Sequence, residues 1–196
     1  MSLRPALRLA AAFIGALVTL PACAAWTLDP ARSELSFVTV KAGDIAEVHR
    51  FGTLEGGVSD GGEAVVRIAL VSVDTHIPVR DERMRAMLFE TERFPTATLT
   101  ARLPANALDL PAGASVDLPL EGKLDLHGAS QPLKFTVTAM RLSDGRVVVA
   151  SRQPLIVTAD QFALTAGVEK LREVAKLPAI SKAVPVSFVL EFVTAK

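Results

Sequence analysis

The chain has 196 residues, half of them hydrophobic, with 21 basic and 21 acidic side chains. That length suits one domain able to bury a real core. Balanced charge, no tyrosine and a single tryptophan exclude the basic stripe and the stacking platform of a nucleic-acid binder.

Residues 1–25 read as a signal peptide. Arg4 and Arg8 form a positive n-region, Leu9–Leu20 an apolar h-region, and Ala22-Cys23-Ala24-Ala25 a small-residue site with cleavage expected after Ala25. The h-region is short for a bilayer span, and no other run is long and apolar enough, so the mature chain is expected to carry no transmembrane segment. Cys23 is the one cysteine, and Leu20-Pro21-Ala22-Cys23 resembles a bacterial lipobox with an atypical proline. Lipid anchoring at Cys23 is the lesser alternative. Cleavage after Ala25 leaves a mature chain, 26–196, without cysteine and therefore without a disulfide, although it enters an oxidising compartment. Loss of Arg4 and Arg8 leaves 19 basic against 21 acidic residues, a net charge of −2.

Trp26-Thr-Leu-Asp-Pro30 opens the domain, with a turn at Asp29-Pro30. Glu34–Val40 is predicted as a strand with Leu35 and Phe37 on one parity. Lys41–Val48 reads as a loop or irregular strand, and His49–Gly56 as a strand interrupted by Gly52. Ser59-Asp-Gly-Gly62 is a hairpin turn into Ala64–Asp74, which carries Val66, Ile68 and Leu70 on one face. Arg80–Glu90 changes period, and Met84, Met87 and Leu88 predict a short amphipathic helix. Thr96–Leu103 alternates again, opposing Ala97, Leu99, Ala101 and Leu103 to threonines and Arg102.

Val116–Gly128 gives the clearest alternation. Val116, Leu118, Leu120, Leu124 and Leu126 oppose Asp117, Glu121, Lys123, Asp125 and His127, as on a strand with one apolar and one wet face. A turn is expected at Gly128–Pro132, then strands at Leu133–Leu142, Arg146–Arg152 and Leu155–Thr158. Thr165–Lys176 has helical spacing. Val184–Thr194 closes the chain with Val186, Phe188, Leu190 and Phe192 on one parity. Eight or nine antiparallel strands joined by short turns tend to curl and close, which removes their edges. The expected fold class is all-β, an antiparallel eight-stranded barrel with one or two short helices; a two-sheet sandwich is the competitor.

Chemistry-bearing residues are sparse. His49, His76 and His127 lack metal-ligand spacing, and there is neither a Gly-x-Ser-x-Gly elbow nor a phosphate loop. No catalytic residue, metal site or cofactor is expected. The positive feature is apolar: Phe37, Leu70, Leu99, Leu118, Leu120, Leu124, Phe135, Phe188 and Leu190 all take the inward parity. Periodicity leaves a solid core and a ligand-lined hollow equally open, and inward Ala97, Ala101, Gly122 and Ala139 tilt slightly toward space inside.

The order and spacing of several short motifs resemble the YceI family of bacterial, mostly periplasmic, lipocalin-like proteins. They are Trp26–Ser33 with Leu35-Ser-Phe37; Phe51-Gly-Thr-Leu-Glu-Gly56; Val73-Asp-Thr75 with Arg80-Asp81, Met84-Arg85 and Phe94-Pro95; and Gly122-Lys-Leu-Asp-Leu-His-Gly128 with Pro132. The resemblance runs from Trp26 to Val193. It implies a lipocalin-like barrel with a deep apolar tunnel that binds a polyisoprenoid, such as a prenyl quinone, along the nine inward residues. It also implies a periplasmic location, a non-enzymatic role in carriage, storage or sequestration, and a lipid partner; a homodimer stays an option. A lipid-modifying hydrolase or isomerase in the same barrel, and a filled barrel for protein–protein contacts, are the alternatives. The chain departs from the family at Arg83, where His is common, and at Thr158–Ala163, where Arg-x-Asp-Phe-Gly is common. These departures bear on head-group contacts and loop shape.

Overall fold

A computed structural model describes residues 24–104, 107 and 109–195; the expectations for the leader up to and including Cys23 lie outside the described residues, while its last two residues, Ala24 and Ala25, are the first of the opening strand. Among the described residues, alternating apolar and polar side chains form twelve strand segments: β1 (Ala24–Leu28), β2 (Glu34–Lys41), β3 (Ile45–Phe51), β4 (Leu54–Ser59), β5 (Glu63–Ala69), β6 (Val73–Asp74), β7 (Thr96–Arg102), β8 (Ser115–Leu126), β9 (Ala129–Arg141), β10 (Val147–Ser151), β11 (Leu155–Thr158) and β12 (Ala183–Thr194). They make eight antiparallel staves. Four staves are broken in the middle: β1 with β2, β3 with β4, β5 with β6, and β10 with β11. Each stave pairs with its neighbour in sequence, and β12 closes the ring onto β1 and β2 through Trp26–Thr194 and Phe37–Val186. The expected eight-stranded barrel is therefore the fold.

The breaks are built from turn chemistry. At the first, Pro30 opens a 3-10 turn whose Asp29 side chain accepts from the Ala31 amide at 3.0 Å, and the Ser33 hydroxyl donates to the Asp29 carbonyl at 2.7 Å. The second and third staves bend together. The Ser72 hydroxyl donates to Ala69 O at 2.6 Å and accepts from Thr53 N at 3.0 Å, while Gly52 N donates to Ser72 O. Backbone donors and acceptors lost from the ladder are thus satisfied locally.

Inward side chains form one continuous core from Leu28 to Phe192. Pro78 begins α1 (Pro78–Arg83), its missing N–H being no loss in a first turn. The helix expected over Arg80–Glu90 starts two residues earlier and loosens into a π-turn at Met84–Leu88. Helix α2 (Thr165–Val174) follows a 3-10 turn at Ala159–Phe162. It packs on the π-turn through Gly167, where a Cβ would lie 2.8 Å from Leu88 Cα and Met87 O. The two helical pieces form a roof over one end of the barrel.

Of the two readings of Lys41–Val48 the interrupted strand is the one found: β2 ends at Lys41 and β3 begins at Ile45 after a turn. Two sequence expectations are corrected. The β8–β9 turn is the two residues His127-Gly128, with φ of +51° and +78°, and β9 already starts at Ala129. Gly122 leaves no space inside: its missing side chain is occupied by Phe135, whose Cε1 lies 3.1 Å from the position of a Cβ, and by Ala101.

Candidate functional site

Under the roof lies an apolar cavity of about 370 Å³, within the ~300–1,000 Å³ range of small-molecule sites. Leu35 and Phe37 of β2, Ile68 of β5, Leu99 of β7, Leu124 of β8 and Phe188 of β12 form its walls. Met84, Leu88, Leu164 and Val168 form its ceiling. At the opposite end a second space of only about 60 Å³ remains between Leu118, Leu120, Phe135, Val137 and Leu190. Leu99 and Phe188 border both, so they form a waist between a hollow half and a nearly filled half.

The structure places all nine proposed lining residues inside the barrel but divides them. Phe37, Leu70, Leu99, Leu124 and Phe188 border the large cavity, whereas Leu118, Leu120, Phe135 and Leu190 lie at the filled end. Of the small inward residues, Ala97 borders the large space, and Ala101 and Ala139 the small one.

Sequence reading missed His49. It opens the strand predicted over His49–Gly56 and carries no expected role, yet it is 3 % exposed and stands in the cavity wall. Its Nε2 hydrogen-bonds Thr39 Oγ1 at 2.9 Å, its Nδ1 is buried without a partner, and its ring meets Phe37 edge-on at 5.3 Å between centroids. Burial, and secondly the positive charge of Arg80, hold its pKa below the ordinary imidazole value. Its wall position was legible in the shared parity of Glu47, His49 and Phe51, once Ile45 is taken as the strand start. The other two histidines lie elsewhere. His76 is exposed on a turn, and His127 is covered by Phe94 at 4.4 Å.

Charges gather at the cavity mouth. Arg80 donates to Thr75 Oγ1, to Thr75 O and to Glu47 Oε2 at 2.8, 2.7 and 2.8 Å; Asp81 accepts from the Thr75 amide at 2.9 Å. Glu47 also pairs with Lys41 at 2.8 Å, and that bond, followed by the Coulombic pull of Arg80, keeps its carboxyl below the usual range. The Asp74-Thr75 and Arg80-Asp81 motif is thus a polar clasp that fixes α1 against β3. The Phe94-Pro95 motif has a matching role: its ring lies 2.9 Å from where a Cβ of Gly128 would sit, so a side chain there would displace it.

Among the described residues no group of three or more His, Cys, Asp or Glu converges as a metal site, and no helix is long and apolar enough to cross a membrane.

The YceI-like domain family matches residues 26–192. A polyisoprenoid-binding domain from Saccharophagus degradans, implicated in plant cell wall breakdown, is 40 % identical, with 88 % of this chain and 100 % of that one covered and a TM-score of 0.86. BcnA of Burkholderia cenocepacia is 19 % identical over 84 % of this chain and 98 % of its own, with a TM-score of 0.66. The YceI protein of Campylobacter jejuni is 14 % identical over 76 % and 84 %, with a TM-score of 0.55. The last two show the shared fold. No curated protein matches significantly.

Proposed function

The chain belongs to the YceI-like family, and on that premise we propose that its barrel is a binding site for an isoprenoid or a similar long apolar chain. The observation that carries the reading is the cavity of about 370 Å³ walled by aliphatic and aromatic side chains, with its charges confined to the mouth. Each methylene moved there from water gains about 0.8 kcal/mol, so a long tail needs no charged anchor. Its polar head sits at the mouth near Thr39, His49, Lys41 and Arg80. The description of the 40 % identical relative as polyisoprenoid-binding supports the same ligand class.

The role is carriage, storage or sequestration and not catalysis. His49 is where a catalytic reading would begin, but its one side-chain hydrogen-bond partner is a threonine hydroxyl, and its Nδ1 has no partner to orient the ring as a base. Residues 1–25 direct export to the periplasm, where the mature domain, 26–196, meets its lipid; anchoring through Cys23 is the alternative to free diffusion. Native mass spectrometry with lipid extraction tests the reading on protein isolated from its own periplasm. A stoichiometric, intact isoprenoid is expected. Protein that carries no lipid and takes none up would overturn it, and recovery of a cleaved or isomerised product would favour the enzyme.

A further inference from the structure

The barrel wall is not sealed along its whole height. The second half of β9 pairs with β10 from Val137–Ser151 to Arg141–Val147, and the Arg152 amide adds a last bond to Thr136 O at 2.9 Å. Beyond that point β11 pairs only with β12, and no ladder joins it to the first half of β9. The edges meet again where Gln131 Nε2 donates to Gln161 O at 3.1 Å. From one bond to the other β9 advances five steps, 131 to 136, and the facing segment nine, 152 to 161, the last of them within the 3-10 turn at Ala159–Phe162. At about 3.3 Å per residue the opening runs about 16 Å along β9.

Sequence keeps this seam open. A two-residue hairpin makes Leu126 and Ala129 a hydrogen-bonded pair, and the alternation then puts Lys123–Pro132 at a non-bonded position. The nitrogen of Pro132 therefore faces the seam, where it has no proton to donate. Pro154 sits on the facing segment. Prolines of this kind prevent a sheet edge from pairing. Inward Leu133, Phe135 and Leu155 are half-buried beside the seam, whereas Val137 and Ala139 farther along β9 are buried. Leu133 and Leu155 border the tunnel on one side and an outer groove on the other. The partition there is one side chain thick.

We propose that the β9–β11 seam is a side portal through which a long apolar chain enters and leaves the tunnel, with Leu133 and Leu155 as the parting side chains. This rests on the lipid-binding reading above. Opening breaks no strand ladder and one side-chain hydrogen bond, that of Gln131, so it disturbs the barrel far less than unzipping a paired stave.

The test is a reducible staple across the outside of the seam. Lys134 and Ile156 both line the outer groove and face away from the tunnel. A Lys134→Cys, Ile156→Cys variant in a Cys23→Ser background is bridged with a bis-methanethiosulfonate. Uptake of radiolabelled solanesol from phosphatidylcholine vesicles is then followed before and after reduction. Stapling is expected to slow uptake by about tenfold or more, as when binding awaits a conformational step, and reduction of the same sample is expected to restore it. Equal rates with and without the staple would overturn the portal and leave the lipid-binding reading intact. If the reduced protein takes up no solanesol at any rate, the lipid-binding reading falls and the portal falls with it.

Discussion

Leucine truncations at the two ends of the barrel should have unequal costs, because only one end is packed. Leu190 is 4 % exposed and borders the small space of about 60 Å³. Leu190→Ala deletes three carbons, worth about 2.4 kcal/mol at ~0.8 kcal/mol each. The volume emptied in a packed surrounding adds about 1–2 kcal/mol at ~24 cal/mol per Å³. The expected loss is about 4 kcal/mol. Leu124 is 9 % exposed and already faces the cavity of about 370 Å³. Leu124→Ala only widens an existing hollow, so the second contribution largely vanishes and the loss is about 2 kcal/mol. Urea unfolding of both variants, after lipid has been stripped, measures the difference from midpoints at a common m-value. Added isoprenoid should then stabilise the wild type by about 2.7 kcal/mol at a hundredfold excess over Kd. Equal costs, or a larger cost at Leu124, would mean that the roofed end is as tightly packed as the other and would refute the tunnel.

Leu124→Arg should fold, with its guanidinium reaching for the charged mouth, and should lose lipid retention in extraction assays; a folded variant that keeps its lipid would displace the proposed binding path. Gly167→Val should cost about 1–3 kcal/mol in urea unfolding, since its Cβ would press on Leu88 Cα and Met87 O at 2.8 Å, and should speed lipid loss if the roof retains the ligand. Ala163, at φ +56°, occupies a backbone region that costs a non-glycine residue about 1 kcal/mol or more. Ala163→Gly, which relieves that conformation, should raise the urea unfolding midpoint. His49 titrates below its unfolded value of about 6.5 because burial, then Arg80, disfavours the imidazolium. Its contribution to stability is complete above that value and is lost as pH falls through the folded value, since the unfolded chain binds the proton first. His49→Gln should flatten the stability profile below pH ~6.5, and an unchanged profile there would show that His49 is not the titrating group.

Much of the barrel was legible in period-two alternation. It put Phe37, Leu70, Leu99, Leu118, Leu120, Leu124, Phe135, Phe188 and Leu190 inside, and the structure keeps them inside. Helix α2 was legible in the spacing of Val168, Leu171 and Ala175, of which Val168 is buried under the roof. Alternation failed where the chain breaks a stave. Lys41–Val48 looked polar because Glu47 and Lys41 form ion pairs at the mouth, so the strand parity that brings His49 inward was lost. The β8–β9 turn was misplaced because Pro132 read as a turn residue, although in the structure it lies within β9.

By itself the sequence determined the parity of each stave, its approximate ends and, through ordered motifs, the family. These are local properties, since a pleated strand sends alternate side chains to opposite faces whatever surrounds it. Only the tertiary structure decided which inward residues face empty space. Phe135 fills the gap at Gly122 from the neighbouring strand, α2 roofs the other end through its close approach at Gly167, and β11 leaves one edge of the first half of β9 unpaired. Void and seam depend on how distant staves close around one another, and a solid barrel would have shown the same alternation.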